Sequence, residues 1–240
     1  MPVFRVSREL FAAFPEACFG VVAAEGIPPR EPDPSLESAL RAECDKLRGL
    51  FKSVQDVREH PGVAAWRDAF TRLGWNPNRF PSSIEALLSR LAKGGGLPSI
   101  NNVVNGANVV SLRHVVPIGA HDIDSFAGDV EIRPSRDDDT FTPFGSAGFE
   151  VVPPGEMVYV SGNQIRTRRW VWRQSENGKI TASSGRVFFP IDGFYGKTSD
   201  QVRAAREDLA SLCKTVLEAA LVTEFWVDAG SPEADLSVGV

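Results

Sequence analysis

Four side-chain amides stand within eight residues, at Asn101, Asn102, Asn105 and Asn108. An amide offers both donors and acceptors and keeps its charge state at any pH. Asn101, Asn105 and Asn108 are spaced i, i+4, i+7, so on a helix they fall along one stripe. Gly94 to Gly96 and Pro98 precede them, and the apolar spacing predicts a helix over 97–116. The glycine-lined start of such a helix favours a carbonyl or anionic group nearby. Two readings stand for these amides. They contact a ligand, most directly at Asn101 and Asn105, or they hydrogen-bond the backbone of neighbouring loops.

The same stretch ends in the turn Gly119-Ala120-His121-Asp122. A histidine there orients a water or meets a ligand carbonyl. The competing reading is a surface histidine capped by Asp124. His114, inside the helix, reads as structural, and His60, ahead of a proline, as a helix-boundary residue.

A second polar cluster, RTRRWVWRQS, runs from Arg166 to Ser175. Read as one strand over 164–174, it puts Arg169, Val171 and Arg173 on one side and Arg168, Trp170, Trp172 and Gln174 on the other. Tryptophan with arginine stacks a base, and arginine holds phosphate or carboxylate. The alternative is a sheet face that packs tryptophan on helices and leaves arginine in water. Trp170 and Trp172 taken singly fit the core better, whereas Arg173, Gln174 and Ser175 fit a site. The expectation is that the asparagine helix and this strand face each other across one pocket.

Stronger signatures are missing. Gly196-Lys197-Thr198-Ser199 resembles the end of a phosphate loop, but the upstream glycine position holds Ile191. Lys93-Gly94-Gly95-Gly96 lacks a preceding strand. The chain has no G-x-S-x-G or H-E-x-x-H. Asp137, Asp138 and Asp139 read as a solvated turn, because consecutive carboxylates do not all point at one ion. Cys18, Cys44 and Cys213 are far apart, fit no metal spacing or disulfide framework, and read as buried, inert thiols.

The elements that must position these residues follow from periodicity. Ala17 to Ala23 predicts a strand. Residues 28–34 form a proline-rich loop, and Ser35 caps a helix carrying Leu36, Leu40, Leu47, Leu50 and Phe51. A link follows Ser53. Val63, Trp66, Phe70 and Leu73 mark a helix stopped at Gly74; Ile84, Leu87, Leu88 and Leu91 mark another ended by glycines. From Pro117 the period becomes two, with strands near 128–133, 149–152, 156–161, 164–174 and 186–191. A last helix spans 198–225.

Helices early, strands late and a final helix read as α+β, with helices packed on a mixed, largely antiparallel sheet. Residues 1–54 read as a strand/helix extension packed on a main domain at 55–227, with a loose tail at 228–240. The 240 residues include 42% hydrophobic and 24% charged, an ordinary globular mix. A net charge of −5 argues against nucleic-acid binding by bulk electrostatics and leaves room for a local patch at Arg166, Arg168, Arg169 and Arg173. No apolar run is long enough to span a bilayer. The first residues do not read as a secretory signal, and the cysteine usage suits a reducing cytoplasm.

SINNVVNGANVVSL followed by VPIGAHDID resembles the B3/B4 editing domain of the bacterial phenylalanyl-tRNA synthetase β subunit, with its INNVVD-x-x-N stretch and P-L-H-A-F-D turn. GDVEIR resembles the strand that follows. RRWVWRQ, with Ile180-Thr181 and VFFPIDGF, is closer to the free-standing B3/B4 proteins. The likeness covers roughly residues 55–225. It departs at Asn105, where the family has aspartate, at Gly119, where it has histidine, and at Arg173 to Ser175, which replace a glycine-rich segment carrying a pocket glutamate.

The resemblance implies a B3/B4-like α+β fold and an aminoacyl-tRNA deacylase that needs no metal or cofactor and does not itself charge tRNA. Its partner would be the 3′ aminoacyl end of a mischarged tRNA, met in the cytoplasm and away from any membrane. Asn101, Asn102 and Asn105 would hold the amino acid or ribose, and Trp172 would stack. His121 or Gln174 would position water, and backbone donors near Gly119 would stabilise the oxyanion. Arg168 and Arg173 would meet terminal phosphates. A non-catalytic module binding tRNA ends or amino acids is the second reading, and hydrolysis of a small ester or amide unrelated to tRNA is the third.

Overall fold

The computed structural model describes residues 2–236. Two sheets carry the fold. The larger one starts with β1 (Val3–Val6), which pairs in parallel with β4 (Val130–Pro134). From β4 it runs antiparallel through β7 (Met157–Ser161) to β8 (Gln164–Arg168). β5 (Thr140–Phe141), β6 (Glu150–Val151) and β9 (Arg173–Gln174) extend it beyond β8. The smaller sheet sets β2 (Ala17–Glu25) between β10 (Arg186–Phe194) and β11 (Leu221–Asp228), with β3 (His121–Asp122) on the far side of β10. The α+β class with a mixed, mostly antiparallel pattern is as the sequence order predicts.

The N-terminal segment is woven in. β2 is buried along almost its whole length because both of its edges are paired and α7 (Ser199–Thr215) packs across it. At Gly20 a Cβ would lie 3.1 Å from a methyl of Val202, so glycine lets this helix approach. Residues 2–54 thus contribute β1 to the larger sheet and β2 to the smaller one.

The helices begin at sites that tie up their free amides. α2 (Pro34–Leu50) is capped by Asp33, whose carboxylate accepts from Ser35 N, so the cap lies ahead of the expected Ser35. The link after Ser53 is itself a helix, α3 (Val54–Glu59), closed by a capping box between Ser53 and Asp56. The short α1 (Arg8–Ala13) precedes β2; α4 (Pro61–Arg72) and α5 (Ser83–Ala92) follow α3. The asparagine helix, α6 (Asn102–His114), is shorter than its pattern. Asn101 is its N-cap, accepting from Val104 N at 2.9 Å, and Leu97 to Ile100 stay outside.

Three further expectations are corrected. The last helix stops at Thr215, and a left-handed turn at Glu218 (φ 50°) delivers β11. Val222, Thr223, Phe225 and Trp226 are strand formers that pair with β2. The tail is ordered as far as Leu236, because β12 (Glu233–Asp235) pairs with β1; residues 237–240 lie outside the described part. Asp139 of the acidic triplet is fully buried, not solvated. It takes a two-pronged ion pair from Arg133, at 2.6 and 2.9 Å, across the loop entering β5. No group of acids, histidines and cysteines among the described residues is arranged to hold a metal.

Candidate functional site

The segment 164–174 does not run as one strand. β8 ends at Arg168, and Arg169 (φ 44°) and Trp170 (φ 62°) turn the chain through left-handed conformations. Two such non-glycine residues in sequence are costly, on the order of 1–2 kcal/mol each. The surroundings hold them there. Trp170 N donates to Met157 O at 2.7 Å, and its ring is wholly buried against Phe14, Trp66 and Phe194. The expected alternation is therefore lost: Trp170 enters the core, while Trp172 stays half-buried beyond the turn.

This turn faces β3 and β10 across a narrow cleft with about 60 Å³ of interior space. Gly119, His121, Tyr159, Thr167, Trp170, Trp172, Gln174 and Asp192 contribute to its walls. A buried water needs about 10–15 Å³, so the cleft has room for a few waters or a short side chain. Four of the residues singled out in the sequence thus meet: Gly119, His121, Trp172 and Gln174.

His121 is buried, with its ring stacked on Tyr159 and on Phe188, each at 6.0 Å. Burial, with a lesser push from the Arg166 guanidinium, lowers its pKa to about 3, so the imidazole is neutral. Nδ1 is buried without a partner. Nε2 lies 3.0 Å from where a Cβ on residue 119 would stand, so glycine there keeps this nitrogen clear. Gln174 donates from Nε2 to Ala120 O at 2.8 Å, which fixes the amide and leaves Oε1 as an acceptor. The Gly119 N–H donates to Pro190 O at 2.9 Å, so this backbone donor is spent and does not serve an oxyanion.

Asp192, Tyr159 and Thr167 were missed in the sequence. Asp192 is 1% exposed. Its Oδ1 accepts from Tyr159 Oη at 2.7 Å and from Trp170 Nε1 at 2.8 Å. Desolvation raises the carboxyl pKa to about 7 against the pull of these two donors. The Tyr159 hydroxyl is pushed well up by burial and by the carboxylate. A signal existed: Asp192 is the one charged residue in the apolar run Val187-Phe188-Phe189-Pro190-Ile191-Asp192-Gly193-Phe194. A lone acid in a strand buried on both faces is rarely accidental.

The asparagines do not join this cleft. Asn105 is fully buried, accepting from Ile100 N and donating to Ser99 Oγ at 2.8 Å. Asn102 accepts from Asp33 N and donates to Glu31 O, bracing the loop before α2. Asn101 caps α6. Asn101 and Asn102 border a different, larger cleft of about 230 Å³, with Ile27, Arg30, Thr181 and Leu217. Its polar groups are already engaged, Arg30 by Glu218 and Ser184 by Asp122. The single pocket expected between asparagine helix and arginine segment is thus two clefts.

The arginines also divide. Arg168 is held by both oxygens of Glu156 at 2.9 Å and by Glu150, so it is a sheet clamp and not a free cation. Arg169 shares Glu156 and stacks 3.8 Å over Phe80, which meets Trp172 edge-on at 4.9 Å. Arg166 is buried and donates to Ser125 O; burial lowers its pKa to about 10. Arg173 is exposed beside Trp172, 6.0 Å from its ring centre. His114 pairs with Asp208 at 3.0 Å, and His60 caps α4 through Nδ1. The three cysteines are free and buried, and burial pushes Cys18 and Cys213 up to about 12.

These features define an α+β domain with a polar, aromatic-walled cleft where its two sheets meet the turn at Trp170. The B3/4 domain sequence model matches residues 65–221, and the chain belongs to that family. Among solved structures, it is similar to an N-terminal fragment of the phenylalanyl-tRNA synthetase β-subunit from Pyrococcus horikoshii. The identity is 11% and the TM-score 0.44, over 88% of this chain and 48% of the fragment, so the chain spans about half that fragment's length. No curated protein sequence matches it. No helix among the described residues is long and apolar enough to cross a membrane.

Proposed function

We propose that the cleft between β3, β10 and the Trp170 turn receives the 3′ aminoacyl end of a mischarged tRNA and hydrolyses the ester. The observation that carries this reading is the convergence of His121, Gln174, Trp172 and Asp192 on one narrow cleft. Membership of the B3/4 family and the motif likeness to the synthetase editing domain support the substrate class. Neutral His121 and the free Oε1 of Gln174 act as acceptors that hold and orient the attacking water. Aminoacyl esters are labile, so positioning supplies much of the acceleration.

On this reading the nucleotides before the terminal adenosine lie along Trp172 and Phe80, with Arg173 on the phosphates. Of the two arginines expected in that role, Arg173 alone keeps it, since Arg168 is occupied by two glutamates. The test is release of amino acid from a panel of misacylated tRNAs. Turnover above the uncatalysed rate on at least one, lost in His121→Asn and Gln174→Ala, is the expected result. Rates that stay at the uncatalysed level across the panel overturn hydrolysis.

A second reading has one observation in its favour. The Gly119 amide is consumed by Pro190 O, which removes the backbone donor an oxyanion needs there. A domain that binds the aminoacyl end without cleaving it fits that arrangement. Saturable binding of misacylated tRNA without release of amino acid distinguishes it.

A further inference from the structure

Buried acids in this protein have arginines. Asp139 has Arg133, Glu85 has Arg67, and Glu156 has Arg168. Asp192 is buried as deeply, yet both of its hydrogen-bond donors, Tyr159 and Trp170, are neutral. Both bonds fall on Oδ1, which leaves Oδ2 of a carboxylate that lines the cleft. The titratable groups around it are Tyr159 from β7, His121 from β3 and Cys18 from β2. Tyr159 and Cys18 are pushed up and His121 is pushed down, so all three are uncharged at neutral pH.

A carboxylate withdrawn from water without a counter-charge is costly, and a cation arriving with a ligand relieves the cost. The walls beside it are the rings of Tyr159, Trp170 and Trp172. Aromatic faces attract ammonium groups and exclude water from them. The interior is too small for a nucleoside but admits an ammonium on a short stem. We infer that Asp192 is the receptor for a primary ammonium group, namely the α-ammonium of the aminoacyl ester. This rests on the aminoacyl-end reading of the cleft and adds what the site recognises: a free α-amine, so that N-blocked aminoacyl groups are refused.

The chemistry imposes a pH signature. Empty, the carboxyl is about half protonated near pH 7. An ammonium binds only the ionised form and holds it ionised, so a proton leaves on binding. Affinity for the ammonium form therefore falls by about 25-fold between pH 7.5 and 5.5.

The test uses the whole chain labelled at tryptophan indole nitrogens, with the Trp170 Nε1–H signal assigned through Trp170→Phe. Probes are L-alaninamide, L-leucinamide and L-phenylalaninamide, each beside its N-acetyl counterpart. The expected result is that at least one free amide moves the Trp170 signal saturably at pH 7.5, with the stated loss at pH 5.5. Its N-acetyl counterpart leaves the signal in place, and so does the free amide in Asp192→Asn. No shift with any free amide, or equal affinity for amide and N-acetyl amide, overturns the inference without any variant. Amide binding without deacylation of any tRNA removes the hydrolase reading and keeps the ammonium site. Deacylation without amide binding removes the ammonium site alone.

Discussion

The indole nitrogen of Trp170 donates to Oδ1 of Asp192 at 2.8 Å, joining the turn that breaks the arginine segment to the middle of β10. This bond explains why two successive non-glycine residues accept left-handed geometry. The ring must reach inward past β8 to find both its apolar neighbours and its one acceptor.

Trp170→Phe keeps most of the ring and removes the donor. A hydrogen bond to a charged group is worth about 1.5–3 kcal/mol, and here the acceptor is charged only above neutrality. The donor favours the ionised carboxyl, so its loss raises the Asp192 pKa further. Stability then falls more steeply as pH rises. Urea denaturation of the variant is expected to show a larger deficit at pH 8 than at pH 5. A deficit equal at both would mean that packing alone connects the two residues.

Asp192 and His121 pull stability in opposite directions. Folded Asp192 holds a proton up to about pH 7, whereas its ordinary value is 3.8. Between these limits the native state binds the extra proton, so stability falls as pH rises. Folded His121 refuses a proton down to about pH 3, against an ordinary 6.5. In that window the unfolded state binds the extra proton, so stability falls as pH drops. The two slopes cancel over the shared range. Asp192→Asn removes one of them. Its stability relative to the parent is expected to climb with pH by about 1.4 kcal/mol per unit between about pH 4 and 7, measured by denaturation at four pH values. A constant difference would show that Asp192 titrates normally.

How far the site was legible depended on what each residue type does locally. His121 and Gln174 stand at the ends of short strands next to turns, where period and punctuation are visible in the sequence. Asn101, Asn102 and Asn105 look alike in sequence, yet one caps a helix, one braces a loop and one is buried, because amides serve backbone and ligand equally well. Arg168 and Arg173 are five residues apart in the same cluster, and only the fold brings Glu150 and Glu156 to the first. β11 was hidden by the apolar spacing of the helix before it, whereas β2 was legible in the small apolar run Ala17 to Ala23. The succession of helices and then strands, by contrast, follows from the change of period at Pro117, while the B3/4 likeness rested on the motifs around Asn101 and Trp170.

Gly119→Ala tests the clearance around His121. The added methyl would lie 3.0 Å from His121 Nε2 and 3.0 Å from Pro190 Cγ, and neither ring moves easily. Overpacking of this kind costs about 1–3 kcal/mol. The expected outcome is a modest loss of stability together with loss of deacylation, since the imidazole must shift off the cleft. Gly185→Ala, where the nearest atom is Ile27 O at 3.4 Å, serves as the control and is expected to keep both. Full activity in Gly119→Ala would separate His121 from the reaction.

Arg168 and Arg173 should answer opposite experiments. Arg168 is two-pronged on Glu156, which is itself buried and also accepts from Arg169 N. Removing Arg168 leaves that carboxylate with Arg169 as its one remaining arginine, and breaking a buried pair from one side costs about 3–5 kcal/mol when no partner remains. Part of Arg168 remains in contact with water, so Arg168→Ala is expected at the lower end of that range. Arg173 is exposed and makes no ion pair among the described residues, so Arg173→Ala is expected to leave stability within about 0.5 kcal/mol. Its effect belongs to binding. If Arg173 meets a phosphate, the slope of log affinity for tRNA against log salt becomes shallower by about 0.7 in the variant, the value for one contact on a single strand. Denaturation and salt-titrated binding on both variants check the pair of statements. A slope unchanged in Arg173→Ala would move the nucleic-acid contact away from the Trp172 side of the cleft.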